Sequence, residues 1–182
     1  LCVRVARAFL EGGCPEVVVV LGAGGEEAER LLGGISGVTT VRISDPRAPM
    51  FASVRAGLAA ASGAGERGAF VHPVDAPRVA PSTVWRMVQE LAGRGLSADA
   101  VVASYGTRRG HPVWIAGRRV GEVLEAPAAY PGGLRGWMGD RGWEMEVAET
   151  GDAAVLDDFD RREDAGGGGR GGGAGRGDPT YR

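Results

Sequence analysis

The chain contains no lysine: all 21 of its basic residues are arginine. Chemistry that needs a side-chain amine, whether as a Schiff base or as an ammonium on a phosphate, has no lysine to supply it. Histidine and cysteine are scarce, with two of each. Cys2 and Cys14 have no metal-ligand partners at finger-like spacing, so neither a structural zinc site nor a disulfide framework is expected. A reducing, cytoplasmic location fits such a chain. No apolar run approaches the ~20 residues of a membrane-spanning helix; Val17 to Leu21 has the length of a strand. The formal net charge is −2, which provides no bulk field for nucleic acid or an anionic membrane. Neither is an expected partner. The charged start and long apolar core of a signal peptide are also missing. The chain opens on Leu1, already within a helical pattern, and the simplest expectation is that an amino-terminal piece is absent.

What is present describes one soluble α/β domain. Hydrophobic residues make up 43% and charged residues 24%, ordinary values for a globular protein. Helical and strand patterns alternate. Leu1 to Leu10 reads as a helix stopped by Gly12-Gly13, and Glu16 to Leu21 as a Val-rich strand. Glu26 to Leu32 is a helix with acids in its first turn, and Thr39 to Ile43 is a β-branched strand. Met50 to Ala61 is a small-residue helix. The apolar run that starts at Ala69 and ends abruptly in Asp75 reads as a buried strand, and about Pro81 to Arg94 is a helix. Strands follow at 99–104 and 112–115 around a polar turn at 106–110. Helices are expected at 118–124 and 134–138, a strand at 143–147, and a short last strand at 154–159. Beyond Asp164 the composition becomes Gly/Arg-rich, and 165–182 is expected to be a disordered, solvated tail. The alternation argues for three layers, α/β/α, around a mostly parallel sheet. Trp85, Trp114, Trp137 and Trp143 read as packing residues.

Several residues are placed for chemistry. The run ending His72-Pro73-Val74-Asp75-Ala76-Pro77 carries one carboxylate between two prolines, just past a strand. Ligands in open α/β sheets bind beyond the carboxyl ends of strands. Asp75 therefore reads either as a ligand for Mg²⁺, which takes one or two carboxylates plus substrate phosphates, or as an N-cap or Asx-turn residue. Gly22-Ala23-Gly24-Gly25 has Glu27 where a dinucleotide fingerprint needs Gly or Ala, and reads as a plain βα turn. Ser53 and Arg55, early in a helix, either hold a phosphate or nucleobase or are surface residues. In Arg109-Gly110-His111-Pro112, the glycine admits close approach of a ligand and His111 offers a hydrogen bond; a half-exposed turn is the alternative. Gly139-Asp140-Arg141-Gly142 and Asp157-Asp158-Phe159-Asp160 are acidic turns, and the second either faces Asp75 with a carboxylate or is a charged connector.

Taken in order, these segments resemble MobA-like NTP transferases. Met50-Phe51-Ala52-Ser53-Val54-Arg55-Ala56-Gly57-Leu58 is similar to the family's Gly-Met-x-x-Ser-Leu-Arg-x-Gly-Leu. Asp75-Ala76-Pro77 is similar to its Asp-x-Pro metal motif, Gly110-His111-Pro112 to its Gly-His-Pro, and Gly139-Asp140-Arg141-Gly142 to its Gly-Asp-x-Gly. The segment 156–164 is similar to the family's closing Asp-Ile-Asp-Thr-Pro-Glu-Asp. The likeness spans 1–164, read as the domain. It implies a Rossmann-like, glycosyltransferase-A-like fold of the nucleotide-diphospho-sugar transferase type. It also implies transfer of NMP from CTP or GTP to a small phosphorylated acceptor such as molybdopterin, with Mg²⁺ as cofactor. By the same resemblance Asp75 and Asp160 are catalytic metal ligands, Ser53 and Arg55 hold the nucleotide, and His111 and Asp140 lie on the acceptor side. A monomer or weak oligomer is expected. The family opens with a central strand and a Leu-Ala-Ala-Gly-x-Ser-x-Arg-x-Gly loop followed by lysine, which would lie upstream of Leu1. Its first strand is therefore expected to be missing here, leaving two unpaired sheet edges and impaired activity. The alternatives are a degenerate nucleotide-binding module without catalysis, or a metal-dependent phosphate-ester hydrolase built on Asp75.

Overall fold

The structure is a computed structural model that describes residues 1–45, 47–94 and 97–157, the side chain of Arg94 excepted. Helix α1 (Cys2–Glu11) leads into β1 (Val17–Leu21), α2 (Glu26–Leu32) and β2 (Val38–Arg42). Next come α3 (Met50–Ala60), the single turn α4 (Ala64–Arg67), β3 (Ala69–Val71) and α5 (Pro81–Arg94). The second half holds β4 (Ala100–Tyr105), β5 (Arg108–Ile115), α6 (Gly117–Glu125), α7 (Gly133–Asp140) and β6 (Met145–Glu149). A closing 3₁₀ turn, Ala153–Leu156, follows.

Side-chain alternation along the strands builds the three layers. Ala100 and Val102 of β4 face a cluster with Phe51 and Leu58 of α3, Val120 and Val123 of α6, and Trp137 and Met138 of α7. Their neighbours Val101 and Ala103 face the other way, onto Met87 and Leu91 of α5. In β1, Val17 and Val19 pack on α1 and α2, while Val20 lies against Gly57 of α3. Burying a Val, Leu or Met side chain contributes about 1.5–3 kcal/mol, so both faces stabilise the sheet. Trp137 and Trp143 are buried, whereas Trp85 is exposed.

The sheet is in two parts. Strands β1 and β2 pair in parallel. A second sheet has the order β3-β5-β4-β6. There β5 is antiparallel to both β3 and β4, and β6 is parallel to β4. Strands β3, β4 and β6 thus share one direction and only β5 is reversed, as the mostly parallel Rossmann-like expectation requires. Among the described residues no strand pairs with the second side of β1 or of β3. Both strands nevertheless reach one apolar cluster, since Val17 and Phe70 pack together with Phe9, Val79 and Val84. The split with two unpaired edges is what the resemblance implied. No described helix is long and apolar enough to cross a membrane. The segment 165–182 and the last strand's end at Phe159 lie outside the described residues.

Two local expectations are corrected. The turn before β5 is only Gly106-Thr107, and β5 takes in Arg108 to His111. Residues 153–156 form a 3₁₀ turn instead of a strand, because the Asp152 side chain accepts the Ala154 N–H at its start.

Candidate functional site

Strand β3 ends at Val71, and the chain turns through His72-Pro73-Val74-Asp75-Ala76-Pro77 before α5 begins at Pro81. Asp75 is half-buried in this turn. Its carboxylate accepts no hydrogen bond from a described residue, and no helix starts at it. The cap and Asx-turn roles are therefore unfilled. The turn is held from inside by His72, whose Nε2 lies 2.8 Å from the Ala76 carbonyl. A carbonyl only accepts, so Nε2 carries the proton and Nδ1 keeps a lone pair. That Nδ1 is buried without a hydrogen-bond partner. Burial pushes the His72 pKa down to about 4, against the pull of the Ala76 carbonyl, so the imidazole is neutral at neutral pH. Its ring centroid lies 5.2 Å from that of Phe9 and 6.2 Å, edge-on, from that of His111.

His111 reaches this turn through a distortion of β5. Val113 pairs with both Val71 and Val102, yet Ser104 pairs with Arg109. Gly110-His111-Pro112 is thus bulged out of the β4 ladder, where Pro112 has no N–H to contribute. The glycine serves the chain's own backbone: a Cβ on Gly110 would sit 2.0 Å from the Val155 carbonyl oxygen. The closing 3₁₀ turn therefore crosses directly over the bulge. Just beyond it, Asp157 receives both Nε (2.6 Å) and Nη2 (2.8 Å) of Arg78.

The other candidates lie on α3 and α7. Ser53 is half-buried in the first turn of α3. Arg55 donates Nε and Nη2 to the Leu124 carbonyl at 3.2 and 2.6 Å, tying α3 to the end of α6. Asp140 ends α7, is exposed and accepts the Tyr130 hydroxyl at 2.7 Å. It borders a groove of about 410 Å³ lined by Glu122, Glu125, Tyr130, Trp137 and Arg141. The Arg141 guanidinium lies 4.3 Å over the Trp137 ring. The structure thus brings His111 to the Asp75 turn, whereas the contacts of Asp140 are on the α6–α7 side. Asp160 lies outside the described residues. The Gly22–Gly25 loop is a plain turn into α2, whose first-turn carboxylates Glu26 and Glu29 are engaged by Arg42 at 3.0 and 2.5 Å.

Among the described residues no group of three or more His, Cys, Asp or Glu side chains could hold a metal ion alone. The described residues by themselves therefore do not cage an ion. The unengaged Asp75 carboxylate fits the other arrangement, in which a hard cation takes one or two carboxylates and completes its shell with phosphate oxygens and water.

The family model for the MobA-like NTP transferase domain matches residues 1–145. The chain belongs to this family. No curated protein matches it in sequence. Among solved structures it is similar to Rv0371c from Mycobacterium tuberculosis, at 23% identity and a TM-score of 0.70, covering 89% of this chain and 80% of that one. The manganese complex of Rv0371c is similar at 21% identity and a TM-score of 0.66, covering 89% and 82%. A nucleotidyl transferase from Methanothermobacter matches at 21% identity and a TM-score of 0.68, covering 86% and 73%. At these identities the likeness shows the fold, which is that of the MobA-like NTP transferases. Three features of this family member escaped the sequence reading: the His72 staple, the Gly110–Val155 crossing and the Arg78–Asp157 pair. Only the His72-to-Ala76 spacing lay within one motif. The other partners are far apart in the chain and leave no local signal.

Proposed function

We propose that this MobA-like domain transfers a nucleotidyl group from CTP or GTP to a small phosphorylated acceptor such as molybdopterin. The observation that carries the reading is the unengaged Asp75 carboxylate at the carboxyl end of β3, beside the bulge that presents His111. In this reading an acceptor phosphate oxygen attacks the α-phosphorus of the NTP, the bond to the β-phosphate oxygen breaks, and pyrophosphate leaves. Asp75, with Asp160, would hold Mg²⁺, which supplies charge neutralisation for the triphosphate when bound. The manganese complex of a structural neighbour supports a divalent cation.

The residues of the chain then bind and orient. Ser53 offers a hydroxyl from the first turn of α3, where backbone N–H groups also point outward. Arg55 fixes that helix against α6 and belongs with Ser53 on the nucleotide side. His111 and Asp140 serve the acceptor, Asp140 at the rim of the α6–α7 groove. His72, held neutral by burial, keeps the Asp75 turn closed without adding positive charge beside it. Residues 1–182 contain no lysine, so the positive charge they can offer the phosphates is arginine, beside that of the cation.

The test is pyrophosphate release from each NTP with Mg²⁺ and acceptor. The reading expects release with CTP or GTP that requires both and is lost in Asp75→Asn. NTP binding without release, at any acceptor concentration, would favour a non-catalytic nucleotide-binding module. That second reading draws on the engagement of Arg55 and Arg78 within the protein.

A further inference from the structure

The Asp75 turn is tied to the end of the described chain at several points. Three residues past Asp75, Arg78 meets Asp157 fork to fork, with bonds of 2.6 and 2.8 Å. Paired parallel bonds of this kind fix geometry as well as charge. The Asp157 side chain is only 14% exposed while that of Arg78 is 56% exposed, so the arginine reaches in from solvent and the fork geometry, more than burial, distinguishes this pair. Asp152 makes a second tie. It accepts the Ala80 N–H at 3.3 Å and the Thr83 hydroxyl at 2.5 Å while capping the 3₁₀ turn through Ala154. The contact of Gly110 with Val155 is the third. Together they hold 152–157 over the β5 bulge and against the start of α5.

We propose that Arg78 and Asp157 form a clasp that positions the Asp75 turn and the closing segment against each other, and so sets the affinity for a divalent cation at Asp75. The proposal rests on the metal-holding reading of Asp75. Arg78 and Asp157 are positioning residues. The Asp157 carboxylate is neutralised by Arg78, whereas the Asp75 carboxylate accepts no hydrogen bond from a described residue.

The experiment measures Mn²⁺ binding by the full chain, with CTP or GTP present, from the resonance of the free aqua ion. Arg78→Met and Asp157→Asn should each weaken binding about tenfold, as loss of supporting contacts around a metal site does. Arg78→Lys, which keeps the charge and loses the fork, should fall between. The exchange Arg78→Asp with Asp157→Arg should restore most of the affinity. Hydrogen exchange at 154–157 should rise in the single variants and return in the exchanged pair, a rescue that a general loss of folding would not give. Single variants that bind like the parent while Asp75→Asn loses binding would overturn the clasp and leave the metal reading standing. An Asp75→Asn variant that binds like the parent would overturn the metal reading and with it the role given to the clasp.

Discussion

Replacing Gly110 with alanine adds one methyl group where the protein has no room for it. The new Cβ would lie 2.0 Å from the Val155 oxygen and 2.7 Å from its carbonyl carbon, against ordinary contact from 3.4 Å. The obstacle is backbone, so no side-chain rotation relieves it, and the closing turn must retreat by about 1.4 Å. Forcing an extra methyl into a packed region costs about 1–3 kcal/mol. In a chain of this size each kcal/mol shifts Tm by roughly 2–4 °C, so Tm should fall by about 2–12 °C. The same retreat carries Asp157 away from Arg78, so Mn²⁺ affinity should drop although no ligand is changed. Gly121→Ala in α6 is the control: nothing lies within 4 Å of its Cβ, and alanine in a helix interior should stabilise by about 0.5–1 kcal/mol. Thermal melts and Mn²⁺ titrations of both variants decide the matter. A Gly110→Ala protein with the parent's Tm and metal affinity would refute the close crossing and the coupling built on it.

Asp99 is held below the ordinary carboxylate range, at about 2, chiefly by hydrogen bonding from Arg119 against the opposing effect of burial. Its folded pKa lies below the unfolded one, so its stabilisation is present above about pH 4 and is lost as pH falls through about 2. Melting curves from pH 5 to 2 should show this acid loss in the parent and a smaller one in Asp99→Asn; equal losses would contradict it. Arg55→Met removes two charged hydrogen bonds to Leu124 and should cost about 1.5–3 kcal/mol in urea unfolding. An unchanged midpoint would show that Arg55 is not the anchor of α3. The two-stranded β1–β2 sheet should open before the four-stranded one. Amides of Val18 and Val20 should therefore exchange faster than those of Val101 and Val102, and the reverse order would contradict the split.

Much of this was legible in the residues, for identifiable reasons. The helix 26–32 carries its acids in the first turn, and 81–94 starts on a proline, so their boundaries follow from local chemistry. The apolar run from Ala69 that ends in Asp75 between two prolines located both the strand, which stops at Val71, and the candidate ligand. Arg108 and Arg109 concealed the start of β5, because strand pairing overrode the polar character of the pair. The closing turn was hidden for a different reason: Asp152 decides it, through contacts to Ala80 and Thr83 on another element. Gly110 illustrates a limit of motif reading. A glycine admits close approach, but only the fold shows that the approaching group is Val155 and not a ligand. Arg55 sits in the segment that resembles the family's Ser-Leu-Arg motif, yet its partner Leu124 is visible only in three dimensions.

In the proposed function Asp75 holds a divalent cation together with the triphosphate of an NTP. Its most direct measurement is Mn²⁺ binding to the parent chain and to Asp75→Asn, each with and without CTP or GTP. The nucleotide should tighten Mn²⁺ binding in the parent, and Asp75→Asn should lose the tightened binding by about tenfold or more. Equal Mn²⁺ affinity in the two proteins, with nucleotide present, would contradict it.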